Sequence, residues 1–201
     1  MIYLYGAGGH GKVVLHTLIQ QQKRVEAFID DNARGRLCGL PILSPPEIQD
    51  LYPYAIHFAI GNNRIRQRLQ TEWLRLGVIA ETAIHPQALI YPGATIGTGS
   101  LITAGSIIGP DTHIGTGSII NHHATVDHDC NIGEFCHIAP AATLGGGVTI
   151  GSQCLIGAGA TILPYLTLGN NVTVGAGAVV THNLPDNVTV VGCPARPLPL
   201  K

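Results

Sequence analysis

The residues best suited to acid–base chemistry gather in one short segment of this 201-residue chain. The polar side chains within residues 121–137 are Asn121, His122, His123, Asp127, His128, Asp129, Glu134 and His137. Polar residues are ordinary on a protein surface, but the run Asp127-His128-Asp129 is more specific, because a neighbouring carboxylate can orient an imidazole and raise its basicity. The sequence therefore predicts that His128 is a general base and that Asp127 or Asp129 orients its ring.

This segment belongs to a six-residue repeat that fills the second half of the chain. An aliphatic side chain occupies every sixth position from Ile84 to Val180, and a mostly small side chain follows four positions later. The period fits a triangular prism of short strands, with the aliphatic residue inward and turn-forming residues at the corners. Three hexads form one coil, so residues 18 positions apart stack in columns with about 4.8 Å between strands. The small position holds Cys130, Cys136 and Cys154, which predicts buried thiols rather than a nucleophile.

The columns bring a second group to His128. Position 146 lies one coil after position 128 and falls in the run Gly145-Gly146-Gly147. A glycine there leaves the backbone open to a substrate, and its N–H can bond a carbonyl oxygen as negative charge develops on it. We therefore expect the base and the oxyanion donor to be neighbours in adjacent coils.

A zinc site is the rival interpretation of these histidines. His123 and His128 are five positions apart, a spacing that resembles that of the zinc-binding γ-class carbonic anhydrases, which also have a β-helix. Catalytic zinc needs a third protein ligand and an open position. One and two coils before His123 the column holds Gly105 and Gln87, so no third histidine stacks there. The sequence therefore predicts no metal site.

The pattern of residues 1–79 predicts a small α/β domain. Its expected elements are the strand Ile2–Tyr5, the turn Gly6–Gly11, the helix Lys12–Gln22, the strand Val25–Ile29, the strand Ile56–Ile60 and the helix Arg64–Gly77. The turn matches G-x-G-x-x-G and is followed about twenty residues later by Asp30 and Asp31, as in dinucleotide-binding domains. So few strands make at most half of a doubly wound sheet, which argues against a dehydrogenase. A half-site can still hold a phosphate at the helix N-terminus, so we expect a nucleotide-sugar site, with a purely structural turn as the alternative.

Two resemblances extend this interpretation. Residues 80–195 resemble the hexapeptide-repeat acyltransferases, whose β-helix is left-handed. The motifs Gly8-Gly9-His10-Gly11, Asp30-Asp31 and Ile60-Gly61-Asn62-Asn63-Arg64-Ile65-Arg66 look like those of bacterial nucleotide-amino-sugar acetyltransferases, a family that includes bacillosamine and perosamine N-acetyltransferases and sialic-acid O-acetyltransferase relatives. The resemblance implies a Rossmann-like nucleotide-sugar-binding domain at 1–79 and a left-handed parallel β-helix at 80–201. The residues that it implies for binding the sugar nucleotide are Gly9, His10, Asp30, Asp31, Gly61 and Asn62.

The same resemblance assigns roles within the β-helix. The family pattern Glu/Asp-His-Glu/Asp-Cys, followed by Ile-Gly-Glu-Phe, places the catalytic histidine at His128. It implies that Asn121 lies near the substrate and His137 near the acceptor or the thioester. The tail Val190–Pro197 is similar to the close of many such acyltransferases, whose last coils help to hold coenzyme A. The residues implied for coenzyme binding, besides His137, are Gly146, Gly157, Ala158, Gly175 and Ala176.

Composition limits the remaining functions. Lys plus Arg number 11, Asp plus Glu number 12, and 11% of residues are charged, so the chain lacks the basic surface expected for binding nucleic acid or anionic membranes. No apolar run approaches the roughly 18 residues of a membrane span, and no basic signal region follows Met1. An odd number of cysteines, 5, argues against a disulfide framework. We therefore expect a cytoplasmic protein.

These features predict an acetyl-CoA-dependent N-acetyltransferase that acts on a UDP- or GDP-linked amino-deoxy sugar in polysaccharide or glycan biosynthesis. The weakly charged faces of the prism, and the resemblance, predict a homotrimer with acetyl-CoA between neighbouring β-helices. A sialic-acid-type O-acetyltransferase and a non-catalytic nucleotide-sugar-binding scaffold are alternatives on the same fold.

Overall fold

The computed structural model describes residues 1–51 and 54–198 of the chain. Its first part is a six-stranded sheet in the order β3-β4-β2-β1-β5-β6, in which β3 and β4 are antiparallel and the other pairs are parallel. The strands are β1 (Ile2–Tyr5), β2 (Val25–Ile29), β3 (Gly35–Leu37), β4 (Leu40–Leu43), β5 (Ala55–Phe58) and β6 (Ile79–Ala80). The helices are α1 (Gly9–Gln20), a 3-10 helix (Pro45–Leu51) and α2 (Asn63–Arg75).

The sheet is larger than the sequence predicts. The bounds of β1 and β2 are confirmed, whereas β5 ends at Phe58 instead of Ile60, α1 begins at Gly9, and α2 ends at Arg75. The strands β3, β4 and β6 were not expected, so the prediction of half a sheet is wrong. The hairpin between β3 and β4 turns through Cys38 and Gly39, both at positive φ (47° and 81°). Such turns usually carry Asn-Gly or Asp-Gly, and Cys-Gly gives no comparable signal.

The second part of the chain is the predicted left-handed β-helix, with three parallel faces of two-residue strands. Face 1 contains β7 (Ala83–Ile84), β10 (Leu101–Ile102), β13 (Ile119–Ile120), β16 (His137–Ile138), β19 (Leu155–Ile156), β22 (Thr173–Val174), β24 (Thr189–Val191) and the antiparallel β25 (Arg196–Pro197). Face 2 contains β8 (Leu89–Ile90), β11 (Ile107–Ile108), β14 (Thr125–Val126), β17 (Thr143–Leu144), β20 (Thr161–Ile162) and β23 (Val179–Val180). Face 3 contains β9 (Thr95–Ile96), β12 (His113–Ile114), β15 (Asn131–Ile132), β18 (Thr149–Ile150) and β21 (Thr167–Leu168).

Strand pairing confirms the register of 18 residues. Ile120 pairs with Ile138, and Val126 pairs with Leu144, each one coil further along. The repeated aliphatic side chains form the interior of the prism together with the small ones, including the buried thiols of Cys130, Cys136 and Cys154. This confirms the structural assignment of those cysteines, because each thiol packs inside the coil.

Three corners connect the faces. In the coil formed by residues 119–136, corner 1–2 holds residues 121–124, corner 2–3 holds residues 127–130, and corner 3–1 holds residues 133–136. A left-handed residue recurs at the turns, as at His123 and Asp129, with φ of 56° and 57°. That conformation is costly for most residues and cheap for glycine, which explains why glycine recurs with the repeat.

The α/β domain packs on face 1 of the β-helix. Ala83, Leu101 and Ile119 stack on the outside of this face and are buried with Val14 and Leu18 of α1. On the other side, α2 reaches corner 3–1 through side-chain hydrogen bonds. Strand β6 ends at Ala80 and the first β-helix strand begins at Ala83. No helix in residues 1–51 and 54–198 has the length and apolar character required to cross a membrane.

Candidate active site

His128 projects from corner 2–3 with its ring held by one carboxylate. Its Nδ1 lies 2.7 Å from Asp129 Oδ2, while Asp127 Oδ1 accepts the backbone N–H of His128 at 2.8 Å. Asp129 therefore orients the imidazole and Asp127 fixes the turn, a division that the sequence left open. The hydrogen bond with Asp129 raises the pKa of His128, and the nearby charge of Asp127 adds to the effect. With Nδ1–H donated to Asp129, Nε2 is free to accept a proton.

Gly146 lies directly against this ring, as the column predicts. A Cβ added at Gly146 would overlap the His128 imidazole, and Nε2 is the nearest atom. The neighbouring N–H groups of Gly145 and Gly147 donate to Ile162 and His128 carbonyls at 3.0 and 2.8 Å. The Gly146 N–H has no acceptor in the described part of the chain. An unbonded donor beside a histidine base is the arrangement that acyl transfer requires.

The free N–H has a local cause in the sequence. One coil earlier, the equivalent N–H belongs to His128, and it donates a hydrogen bond to the Asp127 carboxylate. In the next coil Gly145 replaces the aspartate and has no side chain to accept the bond. The glycine run thus removes a competing acceptor as well as making room.

Tyr165 forms the next level of the same corner and was missed by the sequence reasoning. Its ring lies against Gly147, where an added Cβ would overlap it, and it is 76% exposed. Position 165 is one coil after position 147, so the column rule would have found it. Bare backbone therefore separates the His128 imidazole from the Tyr165 ring.

A second histidine cluster lies at corner 1–2, where α1 meets face 1. Asn121 Nδ2 lies 3.1 Å from His137 Nε2, and Asn121 Oδ1 accepts the His122 N–H at 2.9 Å. The rings of His10 and His137 are 6.3 Å apart, and the buried Nε2 of His10 has no partner among the described residues. Burial lowers the pKa of His10 to about 3 and that of His137 to about 4. Both rings are therefore uncharged at neutral pH.

The two aspartates at the end of β2 have different partners. The Asp30 carboxylate accepts backbone N–H groups of Ala7 (2.9 Å), Asn32 (3.0 Å) and Ala33 (2.9 Å). Burial opposes its ionisation, but these hydrogen bonds outweigh it and lower the pKa. Asp31 is exposed and accepts the Tyr5 hydroxyl at 2.9 Å. Asp30 thus closes the loop, and Asp31 is the carboxylate that faces solvent.

Two helix N-termini open beside these aspartates. Helix α1 begins at Gly9 without a side-chain cap, and a Cβ at Gly9 would meet no atom within 4 Å. The N-terminus of α2 is capped by Asn62 Oδ1, which accepts the Ile65 N–H at 3.1 Å. Uncapped N–H groups suit a phosphate. A cleft of about 180 Å³ lies beside Gly61 and Asn62 and is lined across the gap by Gln153, Leu155, Asn171 and Thr173.

The residues expected to hold coenzyme lie on corner 1–2 of later coils. Gly157 and Gly175 are one coil apart, and a Cβ on Gly157 would overlap the Ala176 backbone. The N–H groups of Ala158 and Ala176 have no acceptor in residues 1–51 and 54–198. They are therefore free to bind the amide carbonyls of a pantetheine arm.

One chain does not bring all the expected site residues together. His128, Asp127, Asp129 and Gly146 lie on corner 2–3, which is opposite face 1 in the prism. The remaining expected residues lie on the α/β domain, on face 1 or on corner 1–2: Gly9, His10, Asp30, Asp31, Gly61, Asn62, Asn121, His137, Gly157, Ala158, Gly175 and Ala176. The expected base of one chain thus lies on the side of the β-helix opposite its α/β domain, while Asn121 and four of the expected coenzyme residues lie on the neighbouring corner 1–2.

The column of residues that stack with His123 holds Gly105 and Gln87, as the 18-residue register predicts. A Cβ on Gly105 would overlap the His123 ring, and the Gly105 N–H donates to the Gln87 carbonyl at 3.2 Å. Over the described ranges, no group of three or more His, Cys, Asp or Glu side chains is arranged to hold a metal ion.

A left-handed hexapeptide β-helix, with a carboxylate-bound histidine beside an unbonded backbone N–H and a Rossmann-like domain at its start, defines a hexapeptide-repeat acyltransferase. The PglD N-terminal domain family matches residues 1–73, and the bacterial transferase hexapeptide family matches residues 129–164 and 147–182. The acetyltransferase domain of PglB from Neisseria gonorrhoeae, solved with acetyl coenzyme A, is 38% identical, with 98% of both chains covered and a TM-score of 0.93. PerB from Caulobacter crescentus, solved with CoA and GDP-perosamine, is 36% identical over 98% of this chain and 97% of that one, with a TM-score of 0.93.

Curated sequences agree with these structures. GDP-perosamine N-acetyltransferase of Escherichia coli O157:H7 is 34% identical over 123 residues, which are 55% of this chain and 54% of that protein. The chain spans about half the length of the curated relatives that it matches. It belongs to the bacterial family of hexapeptide-repeat nucleotide-amino-sugar acetyltransferases.

Proposed function

We propose that this protein is an acetyl-CoA-dependent N-acetyltransferase for the amino group of a UDP- or GDP-linked amino-deoxy sugar. The observation that carries the proposal is the His128 ring, held by Asp129, with Nε2 facing Gly146, whose N–H has no acceptor among the described residues. Perosamine N-acetyltransferase from Caulobacter crescentus, solved with CoA and GDP-perosamine, and the acetyltransferase domain of PglB, solved with acetyl coenzyme A, each match 98% of this chain.

The proposed reaction is direct transfer. The sugar amine attacks the thioester carbonyl carbon, His128 Nε2 takes the amine proton, and the Gly146 N–H binds the oxyanion. Collapse expels the coenzyme A thiolate, which receives the proton from His128. The buried thiols of Cys130, Cys136 and Cys154 take no part, and no covalent enzyme intermediate forms.

The α/β domain is the proposed sugar-nucleotide site, and 1–79 and 80–201 are the proposed domain limits. The uncapped start of α1 at Gly9 suits the diphosphate, and the exposed carboxylate of Asp31 suits a ribose hydroxyl. Asp30 and Asn62 support this site indirectly, since their side chains hold its loops. His10, His137 and Asn121 then lie where α1 meets the β-helix, and they are proposed to meet the sugar and the acetyl group.

The separation of the two clusters supports a shared site between neighbouring chains of a homotrimer. His128 needs a sugar nucleotide and a coenzyme groove, but in its own chain the α/β domain lies at the opposite face 1 and the proposed groove lies at corner 1–2. It is also 46% exposed, too open to exclude water from a thioester. Packing corner 2–3 of one chain near corner 1–2 of the next would complete the pocket.

Subunit mixing tests the shared site. His128→Ala removes the proposed base, and Ala158→Trp blocks the proposed coenzyme groove on corner 1–2. If the two residues serve one site from different chains, an equimolar mixture of the two inactive variants recovers about one quarter of wild-type activity through random assortment in a trimer. No recovery, or an active monomer by light scattering, contradicts the shared site.

A substrate screen tests the reaction itself. Nucleotide-linked amino sugars and their hydroxyl counterparts are incubated with acetyl-CoA, and thiol release is followed with His128→Ala as the control. Release with an amino sugar supports the proposal. Release with hydroxyl sugars alone identifies an O-acetyltransferase, and tight sugar-nucleotide binding without release identifies a scaffold.

We also propose that the enzyme needs no metal and is cytoplasmic. The first proposal predicts no stoichiometric zinc in the purified protein and full activity after chelation, because the His123 column lacks a third ligand. Activity that is lost with one zinc per chain contradicts it. The second is supported by five free cysteines, which persist in a reducing compartment.

A further inference from the structure

Arg66 of α2 is a buried cation held only by neutral oxygens. Its side chain is fully enclosed, at 1% exposure, and no carboxylate in the described ranges forms an ion pair with it. Its acceptors are Gly117 O (2.7 Å from Nε), Ile60 O (2.7 Å) and Gly61 O (3.4 Å) at Nη1, and Asn63 Oδ1 (2.8 Å) and Cys136 O (3.2 Å) at Nη2. An uncompensated buried charge is expensive, so this arrangement is retained against a stability cost.

The acceptors belong to both domains. Ile60 and Gly61 form the loop between β5 and α2, whereas Gly117 and Cys136 lie on corner 3–1 of successive coils. A planar guanidinium can bond all of them at once, because its five N–H groups point in fixed directions. Arg66 therefore sets the position of the Gly61 backbone relative to the β-helix.

Two of the carbonyls that Arg66 holds lie beside His137. Cys136 immediately precedes His137 in the chain, and the Gly61 backbone raises the pKa of the His137 imidazole, against the larger lowering by burial. Asn121 Oδ1 accepts the His122 N–H, so Asn121 Nδ2 is the group that faces His137 Nε2 at 3.1 Å; Nε2 therefore accepts and Nδ1 carries the ring proton. Asn121 Oδ1 is already bonded to the His122 N–H, which leaves one N–H of its amide for a ligand.

We propose that Arg66 is a positioning residue of the acceptor site: by holding the Cys136 carbonyl, which immediately precedes His137, together with the Gly61 loop, it orients the His137 ring and, through it, the Asn121 amide. The inference rests on the proposed function for the identity of the acceptor sugar. The electrostatics agree with the geometry, because burial first and the Arg66 charge second lower the pKa of His137 to about 4. The groups facing His137 are Arg66 from α2 and His10 from α1, and the pKa of His10 is lowered as well.

The first test needs neither a variant nor a substrate. Nitrogen-15 NMR of histidine-labelled wild-type protein, without ligands, reports which nitrogen of His137 carries the proton. We expect a proton on Nδ1, a bare Nε2 and no titration between pH 8 and pH 5.5. A proton on Nε2, or a midpoint near the ordinary value of 6.5, overturns the proposal whether or not a sugar substrate has been found.

The second test uses Arg66→Lys, with Arg68→Lys as the matched control. Lysine keeps the charge but cannot bond the carbonyls together, whereas Arg68, on the same helix, is exposed and its Nε lies 3.9 Å from Glu72. We expect Arg66→Lys to mix the His137 tautomers and raise KM for the sugar nucleotide about three- to tenfold, with KM for acetyl-CoA unchanged. A folded Arg66→Lys protein with the wild-type tautomer and KM, or an equal effect of Arg68→Lys, overturns the proposal.

Discussion

The two histidine clusters of this protein have opposite environments. His128 on corner 2–3 is partly exposed, and its hydrogen bond with Asp129 raises its pKa. His10 and His137, where α1 meets face 1, are buried beside the Arg66 charge, and their pKa values are lowered to about 3 and about 4. The first environment suits a group that takes up a proton, and the second suits neutral rings that donate or accept hydrogen bonds without changing charge. Histidine can thus be a proton acceptor at one site and a neutral hydrogen-bonding group at the other, because carboxylates lie beside His128 whereas His10 and His137 are largely removed from water.

The largest expected effect is the loss of the exposed base. His128→Ala should lower kcat by about 10²-fold or more, because proton removal from the amine is lost. Acetyl-CoA binding, measured by calorimetry, should persist because the free N–H groups of Ala158 and Ala176 are untouched. Turnover close to that of the wild type would mean that His128 is not the base.

The bare backbone beside that base gives the second effect. Gly146→Ala should lower kcat by about 10²-fold, since the added Cβ overlaps the His128 ring and covers the proposed oxyanion donor. Gly151→Ala is the control, because its Cβ would also overlap neighbouring atoms, but at Asn170 on corner 3–1. Equal losses of kcat in the two variants would show that crowding in the prism, rather than the site, is responsible.

The two aspartates beside His128 sharpen the comparison further. Asp129→Asn should reduce kcat about tenfold more than Asp127→Asn, because Asp129 alone contacts the ring while Asp127 accepts the backbone N–H. The acidic limb of the pH–rate profile should move to lower pH in Asp129→Asn, since the hydrogen bond that raises the His128 pKa is weakened. Equal kinetic effects would contradict this division of roles.

A smaller effect is expected at the α/β domain. Asp31→Ala should raise KM for the sugar nucleotide about tenfold and leave KM for acetyl-CoA unchanged, because the exposed carboxylate, which already accepts the Tyr5 hydroxyl, keeps lone pairs for a hydroxyl of the ligand. Asp30→Asn should instead lower thermal stability, because its carboxylate holds three backbone N–H groups of the loop. A change confined to the acetyl-CoA KM in Asp31→Ala would reverse the proposed roles of the two domains.

The contrast between the two clusters also explains what the sequence could predict. The β-helix follows from its period, and because the period is strict, counting by 18 places Gly146 under His128 and Gly105 under His123. The α/β domain has no such rule: β3, β4 and β6 are only two to four residues long, and Pro41 interrupts the apolar residues of β4. Arg66 and its contacts with Gly117 and Cys136 join residues 51 and 70 positions apart, which no local pattern reports. Predictions therefore succeed where neighbours are set by the repeat and fail where they are set by domain docking.

The smallest effect separates the clusters by the sign of their pH dependence. His57 is buried and His10 and His137 are half-buried, and this removal from water is the main reason that their pKa values are lowered to about 4, about 3 and about 4. In the unfolded chain these histidines bind protons near pH 6.5, whereas in the folded chain they do not. Their contribution to the free energy of unfolding is therefore fully present above pH 6.5 and is lost as the pH falls towards 4. We expect urea unfolding at pH 5 to show a free energy on the order of 3 kcal/mol below that at pH 7.

Two variants test the source of this loss. The His57 ring is bonded to the uncharged Glu81 backbone carbonyl at 2.8 Å, so His57→Gln should remove part of the acid sensitivity. His128→Ala should leave the acid loss in place, because the raised pKa of His128 acts with the opposite sign. Stability that is flat between pH 7 and pH 5 would mean that the buried rings accept protons without unfolding, and the contrast between the two clusters would then fail.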